Sequence, residues 1–119
     1  MGEYKDLLNS LREPTKSLRA AIPDAWDGFG ALHSHAVSDG VLPGKVKEMA
    51  AVAIAVATGC DGCIGYHARA AARKGATAEE MAEMLAVALL MAGGPASIYA
   101  PKAWSAFAEF SEGPAVSAA

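Results

Sequence analysis

The pattern of apolar and polar positions along the chain predicts a succession of helices. Apolar residues recur at intervals of three and four, and no Val-, Ile- or Thr-rich segment of strict alternation lies between turn signals. Ala, Leu, Met, Glu and Lys, which favour helix, dominate these segments. The predicted helices span about 3–12, 15–21, 24–37, 43–58, 60–74, 77–92 and 96–111. No linker or change of composition divides the chain, so residues 1–119 are expected to form one all-α helical-bundle domain.

Proline and glycine account for most of the predicted helix boundaries. Pro14 and Pro23 are expected to end the first two helices, because proline lacks the backbone N–H and clashes with the preceding turn. Pro43 suits the first turn of a helix, where that N–H would be unpaired in any case. Gly59 marks a break before the cysteine-containing helix, and Gly75 marks a left-handed stop after it.

The last two helices carry their own boundary signals. Thr77-Ala-Glu-Glu80 has the pattern of a capping box, in which the Thr and Glu side chains satisfy each other's backbone N–H groups. The final helix is expected to stop at Gly113-Pro114, which leaves residues 115–119 frayed.

The helix over 43–58 changes character along its length. It is polar as far as Glu48 and wholly apolar from Met49 onward, so it is predicted to be buried. Apolar residues make up 53% of the whole chain and charged residues only 19%, which is more apolar side chain than 119 residues can hide inside one subunit. We therefore expect a homo-oligomer.

Several classes of protein are excluded by length and charge. The longest uninterrupted apolar runs, 49–57 and 84–92, are much shorter than the ~20 residues of a membrane-spanning helix. The N-terminus lacks the basic and apolar regions of a secretory signal, so a cytoplasmic location is expected. The net charge is −3 and the basic residues are scattered, unlike the basic footprint of a nucleic-acid-binding protein.

Three chemically reactive side chains are predicted to share one stripe of a helix. Cys60, Cys63 and His67 are separated by three and four residues, and such residues lie on the same helix face. In the first turn, unpaired N–H groups and the helix dipole favour a thiolate. His67 lies one turn beyond Cys63, within reach to exchange a proton with that thiol.

Glu48 is the second candidate element of this site. It is the last charged residue before the apolar run, and burial would raise its pKa and make it a base near neutral pH. A Glu–His–Cys relay would then hold a base, a proton carrier and a nucleophile. The simpler interpretation is a solvated glutamate near a helix start.

Each of these residues also has a simpler or different possible role. Two cysteines can serve as small buried apolar side chains, and with His67 and Glu48 they would also form a zinc ligand set. His33 and His35 are interpreted as surface or interface residues, with proton handling as a lesser alternative. Tyr66 would line the site or pack between helices.

The stretch 42–92 closely resembles the carboxymuconolactone decarboxylase/alkylhydroperoxidase D superfamily. The resemblance rests on Leu42-Pro-Gly-Lys-Val-Lys-Glu48 and on Gly59-Cys60-Asp-Gly-Cys63-Ile-Gly-Tyr-His67, in which Cys60 follows that Glu by twelve residues. It continues through Ala68-Arg-Ala-Ala-Ala-Arg-Lys-Gly75 and the capping box. The decarboxylase branch lacks the cysteine pair, so this chain is nearer to the redox members.

The resemblance implies an all-α fold that assembles into homotrimers or homohexamers. It implies reduction of alkyl hydroperoxides by a peroxidatic Cys63 and a resolving Cys60, with Glu48 and His67 as proton relay. No cofactor is expected beyond an external reductant, either a dithiol protein or a small thiol. A non-redox decarboxylase-like enzyme and a redox-sensing or zinc-binding module are the alternatives.

One position departs from the pattern of the alkylhydroperoxidase branch. Alkylhydroperoxidase D has a His directly before its second cysteine, where this chain has Gly62. Helix position alone favours Cys60 as the more exposed, thiolate-stabilised sulfur. We expect both features to coexist, with Cys63 attacking peroxide in a buried pocket and exposed Cys60 meeting the reductant.

Overall fold

Six helices make up the part of the chain that the structure, a computed structural model, describes, residues 2–111. They are α1 (Glu3–Ala21), α2 (Pro23–Ala36), α3 (Gly44–Thr58), α4 (Asp61–Arg73), α5 (Ala78–Ala92) and α6 (Gly94–Ser111). No strand occurs within these residues, which confirms the all-α prediction. The predicted stop at Gly113-Pro114 and the frayed 115–119 segment lie outside them.

The core is built from α3, α4, α5 and α6, closed at one end by the start of α1. About half of its buried apolar side chains are alanines, and small side chains allow helix axes to approach closely. The largest apolar side chains that are fully buried in it are Tyr4, Phe107, Ile64, Met81, Val52 and Val56. Close helix packing therefore holds α3 and α4, which carry the candidate site residues, against each other.

A glycine allows α1 to lie directly on α4. A Cβ atom at Gly65 would stand 3.0 Å from Leu8 Cδ2 and 3.3 Å from Tyr4 Cδ1, so a larger residue would push the helices apart. The Glu109 carboxylate of α6 accepts the backbone N–H groups of Tyr4 and Lys5 at 3.0–3.1 Å. Because no side chain of α1 caps its own first turn, Glu109 fixes this end of the helix.

The predicted break at Pro14 is wrong. α1 continues through Pro14 as far as Ala21, and the chain breaks only before Pro23. Proline removes one hydrogen bond to the carbonyl of Ser10, and both residues are exposed, so water can satisfy that carbonyl. One lost bond on the solvent side does not end a helix whose remaining bonds are intact.

Of the other sequence predictions, the two helix-boundary signals are confirmed and the full burial of α3 is not. The capping box is confirmed in both halves, with Glu80 N–H donating to Thr77 Oγ1 at 3.1 Å and Thr77 N–H to Glu80 Oε1 at 2.9 Å. The break at Gly59 is confirmed by its left-handed backbone, φ 70°. The prediction that α3 is buried throughout is wrong, because only one face is buried and Ile54 is 64% exposed.

α2 lies outside the core. None of its residues is buried, and Phe29 and Leu32 are 62% and 65% exposed. Its main packing partner is α1.

Within residues 2–111, no helix is both long and apolar enough to cross a bilayer.

Candidate redox site

The two cysteines lie at the N-terminus of α4 and are joined as a disulfide, with Cα atoms 5.2 Å apart. Cys60 is the N-cap, in extended backbone conformation, and Cys63 occupies the third helical position. The Cys60 sulfur accepts the backbone N–H of Cys63 at 3.2 Å. Cys60 thus takes the role that a Ser or Asp side chain has at an N-cap, where a thiolate is stabilised by free N–H groups.

The exposures of the two cysteines are the reverse of those expected. Cys63 is exposed and Cys60 is half-buried. An N-cap side chain folds back over the first turn and is partly covered by it, whereas the third helical position here faces outward. The expected buried pocket around Cys63 is therefore wrong, and the more accessible sulfur of the disulfide is Cys63.

Glu48 lies in the core of the molecule and is doubly paired. Its side chain is 2% exposed. Its Oε1 atom is 2.7 Å from Nδ1 of His67, and its Oε2 atom accepts from Nζ of Lys74 at 2.9 Å. The prediction that Glu48 points into the core and meets His67 is correct.

The expectation of a raised pKa for Glu48 is wrong. Burial on its own raises the pKa, but hydrogen bonds from His67 and Lys74 and the positive charge of Lys74 outweigh burial and lower it. Glu48 therefore stays a carboxylate at neutral pH. Such a group orients and stabilises its neighbours rather than taking up a proton itself.

The paired carboxylate also defines the tautomer of His67. An ionised carboxylate only accepts hydrogen bonds, so the ring must donate from Nδ1, which leaves Nε2 as the free, basic nitrogen of the neutral imidazole. The His67 side chain is 19% exposed, so Nε2 has access to solvent or a small ligand. His67 is thus the base of this pair.

The cysteine pair and the Glu48–His67 pair remain separate units in the disulfide state. Among residues 2–111, no hydrogen bond joins either sulfur to the His67 ring. They share one face of α4, since His67 follows Cys63 by four residues.

Lys74 is a site residue that the sequence interpretation missed. Besides pairing with Glu48, its Nζ atom donates to the backbone carbonyl of Val37 at 3.1 Å, which ties the end of α2 to the site. A signal for it exists in the sequence, because Lys74 follows His67 by seven residues, two helical turns along the same face.

The histidine of α2 that approaches the site is His33. Its ring centroid is 5.5 Å from that of His67, and both residues line a cavity with Tyr66. His35 is exposed, in agreement with its interpretation as a surface residue. Tyr66 is 37% exposed, so it borders this cavity rather than packing between helices.

A second network anchors the residue between the cysteines. The buried Tyr4 hydroxyl donates to Asp61 Oδ1 at 2.9 Å, and Lys102 Nζ lies 3.7 Å from the same oxygen. Burial, and then the hydrogen bond to Asp61, raises the pKa of Tyr4, so the hydroxyl keeps its proton and remains a donor. α1 and α6 thereby hold the start of α4 in place.

The zinc alternative requires a different arrangement of these side chains. The two sulfurs are bonded to each other, and both Glu48 oxygens are taken by His67 and Lys74. Within residues 2–111, no three His, Cys, Asp or Glu side chains are grouped so as to hold a metal ion.

Comparison with known proteins identifies the family of this helical scaffold. The carboxymuconolactone decarboxylase family model matches residues 23–107, well over half of the chain. The chain belongs to the carboxymuconolactone decarboxylase family. The apo crystal structure of a carboxymuconolactone decarboxylase family protein from Legionella pneumophila has a TM-score of 0.88 and 38% sequence identity, covering 92% of this chain and 97% of that one.

Two bacterial proteins are also similar to this chain in sequence. An uncharacterised protein from Cupriavidus necator is 41% identical over 105 residues, 88% of this chain and 93% of that protein. An uncharacterised protein from the cox locus of Paracoccus denitrificans is 40% identical over 89 residues, 75% of this chain and 78% of that protein. The resemblance read from the sequence is confirmed, and the cysteine pair at disulfide distance fits the redox branch of the family.

Proposed function

We propose that this protein is a thiol-dependent peroxidase and disulfide oxidoreductase that reduces alkyl hydroperoxides. The observation that carries the proposal is the Cys60–Cys63 disulfide at the N-terminus of α4, on the same helix as a Glu48-paired His67. A cysteine pair at a helix N-terminus forms thiolates readily and alternates between dithiol and disulfide. A neighbouring imidazole with a free Nε2 supplies proton transfer.

The proton relay runs from Cys63 to His67. In the reduced protein, His67 Nε2 takes the thiol proton of Cys63, either directly or through a water molecule. The ionised Glu48 stabilises the imidazolium that forms, through its hydrogen bond to Nδ1. Glu48 therefore acts by charge, and His67 is the group that carries the proton.

Peroxide reduction then proceeds in two steps. The Cys63 thiolate attacks the terminal peroxide oxygen, the O–O bond breaks, and the alkoxide takes a proton from the His67 imidazolium to leave as alcohol, with Cys63 as sulfenic acid. The Cys60 thiol condenses with that sulfenic acid, forming the disulfide and releasing water. The hydroperoxide is reduced by two electrons, and the two thiols are oxidised by two.

The exposures of the two sulfurs decide which of them the external reductant attacks. An external dithiol attacks the accessible sulfur, Cys63, and Cys60 leaves as a thiolate that the α4 N-terminus stabilises. The mixed disulfide on Cys63 is resolved by the second thiol of the reductant, which leaves with its own disulfide. Peroxide and reductant thus meet the same sulfur in turn.

The proposal is tested by one equivalent of an organic hydroperoxide, such as cumene hydroperoxide, added to the fully reduced protein. We expect both thiols to disappear and the intact mass to fall by two hydrogen atoms, with one equivalent of alcohol formed. Protein alkylated at both thiols beforehand is the control and should leave the peroxide unreacted. Two thiols that survive while the peroxide persists would contradict the proposal.

We also propose that the protein works as a homo-oligomer, trimer or hexamer. Val87, Leu90 and Met91 form a stripe at helical spacing on the outer face of α5 and are 55%, 79% and 78% exposed. An exposed apolar stripe of this kind marks a protein interface. The resemblance to the alkylhydroperoxidase branch favours the two assemblies named.

We expect light scattering after gel filtration to give three or six times the 12.1 kDa mass of the chain. Leu90→Glu should lower that mass, because it would bury an unpaired charge in the interface. Val41→Glu, on the fully exposed loop before α3, is the matched control and should leave the mass unchanged. A monomeric wild-type protein at micromolar concentration would show this proposal to be wrong.

A further inference from the structure

A cleft between α1 and α4 is lined by neither the cysteines nor the Glu48–His67 pair. Its volume is about 380 Å³, within the range of small-molecule sites. It is lined by Lys5, Leu8, Asn9, Arg69, Arg73 and Phe110. None of these residues has a part in the redox chemistry proposed above.

Three cations face this cleft from two helices. Arg69 and Arg73 are four residues apart on α4, as are Lys5 and Asn9 on α1, so each pair lies on one helix face. The ion pairs formed within residues 2–111 use other cations, namely Lys45, His67, Lys74 and Lys102. The cleft therefore concentrates positive charge in a chain of net charge −3.

Arg69 is held in position at a cost in free energy. Its guanidinium carbon lies 5.3 Å from the centre of the Tyr66 ring, a cation–π contact that restricts its motion. Burial, and then the charge of Arg73, lowers the pKa of Arg69, so the folded protein disfavours this pair of cations. A bound anion would offset both effects.

Two apolar side chains and Asn9 complete the cleft wall. Leu8 of α1 is buried, and Phe110 of α6 is half-buried. Guanidinium groups bind carboxylate and phosphate oxygens in a bidentate manner, and Asn9 adds an amide donor. We propose that the cleft binds a small organic oxyanion, a carboxylate or phosphate ester with a short apolar group, with its head on Arg69 and Arg73 and its tail against Phe110.

The proposed site does not depend on the redox activity. Arg69 and Arg73 also line the cavity beside His67 and Tyr66, but no residue of the cysteine pair or of the Glu48–His67 pair lines the cleft itself. Along the helix axis, Arg69 is about 9 Å from Cys63 at 1.5 Å per residue. Binding can thus be measured in the disulfide form, in which no peroxide chemistry occurs.

The test is titration of the oxidised protein with hexanoate and hexyl phosphate, and with acetate and inorganic phosphate as headgroups without a tail. We expect saturable binding of a hexyl ligand, about tenfold tighter than its bare headgroup because the chain buries apolar area. Amide chemical shifts should move at residues 5, 9, 69 and 73. The hexyl ligand that binds more tightly identifies the headgroup, and either one supports the site.

Variants locate the charge that holds the headgroup. Arg69→Gln and Arg73→Gln should each weaken hexanoate or hexyl phosphate binding at least tenfold. Arg19→Gln, at the exposed end of α1, removes the same charge elsewhere and should leave the affinity unchanged. Equal affinity in the wild type and both cleft variants, or shifts confined to other residues, would overturn the proposal. The proposal would also be overturned if the apolar chain added nothing, that is, if acetate bound as tightly as hexanoate and phosphate bound as tightly as hexyl phosphate.

Discussion

Cys63→Ser is expected to lower the turnover of organic hydroperoxide by about a thousandfold or more, because a serine hydroxyl is not oxidised by peroxide. The side chain is exposed, so the fold should be unaffected. The measurement is consumption of cumene hydroperoxide under an excess of dithiol, with the melting temperature as the check on folding.

Cys60→Ser is the matched control for this prediction. Serine is a preferred N-cap residue, so α4 should begin at the same place. This variant should still reduce one equivalent of peroxide and stop as a Cys63 sulfenic acid, one oxygen atom heavier and reactive toward dimedone. Its turnover should then depend on direct attack by the external thiol.

Two outcomes would contradict these roles. Full turnover in Cys63→Ser would remove Cys63 as the nucleophile. A sulfenic acid that forms on Cys60 in Cys63→Ser, with none on Cys63 in Cys60→Ser, would exchange the two roles and would agree with the N-cap position of Cys60. Activity in the double Ser variant would instead favour a non-redox enzyme on this scaffold.

The cysteine stripe was predictable because it depends only on helix geometry. Residues four apart share a face in any α-helix, so Cys63 and His67 could be grouped without knowledge of their neighbours. Cys60 is expected in the first helical turn but is the N-cap just before it, in extended backbone conformation. The contact between Glu48 and His67 was also predictable, since an apolar run after Glu48 indicated that the carboxylate enters the core.

Properties that depend on a balance between neighbours were not predictable in the same way. The pKa of Glu48 reflects burial against pairing with His67 and Lys74, and the strength of that pairing depends on how closely α3 and the end of α4 pack together. The exposures of Cys60 and Cys63 likewise depend on how an N-cap side chain folds over its own first turn. For the pKa of Glu48, ion pairing reversed the direction expected from burial; for the two cysteines, the folding of the N-cap side chain reversed the expected order of exposure.

Helix boundaries show the same distinction. Gly59 and the Thr77 capping box act through local backbone chemistry and were placed correctly. The rule for proline predicts a helix end at Pro14 because it assumes that the lost hydrogen bond matters, and at a solvent-exposed turn it does not. The position of His33 beside His67 depends on how α2 is placed by α1, which no pattern within α2 indicates.

Glu48→Gln is expected to lower kcat/KM for hydroperoxide by about a hundredfold to a thousandfold. An amide carries no charge to stabilise the His67 imidazolium, and its NH₂ group can donate to Nδ1 and move the ring proton to Nε2. The first effect weakens the base that Cys63 needs, and the second removes it. Glu83→Gln, an exposed acid on α5, is the charge-matched control and should keep wild-type kinetics.

The same substitution should change the acid stability of the protein in a defined direction. The pKa of Glu48 is lower in the folded protein than the usual 4.5, so its pairing stabilises the fold above that pH and is lost as pH falls through the folded pKa. Unfolding in urea should show a drop in wild-type stability from about pH 5 downward. Glu48→Gln should be less stable at pH 7 by about 1–3 kcal/mol and should lose less stability over that acid range.

Kinetics and stability together separate the two roles of the carboxylate. A variant that loses stability at pH 7 but turns over like the wild type would show that Glu48 only joins α3 to α4 through His67 and Lys74. Lys74→Gln then provides the complementary case, because it keeps the hydrogen bond between Glu48 and His67 while removing the positive charge of Lys74. We expect this variant to retain most of the activity. Its stability should begin to fall at a higher pH than that of the wild type, because the pKa of Glu48 rises when Lys74 no longer opposes the effect of burial.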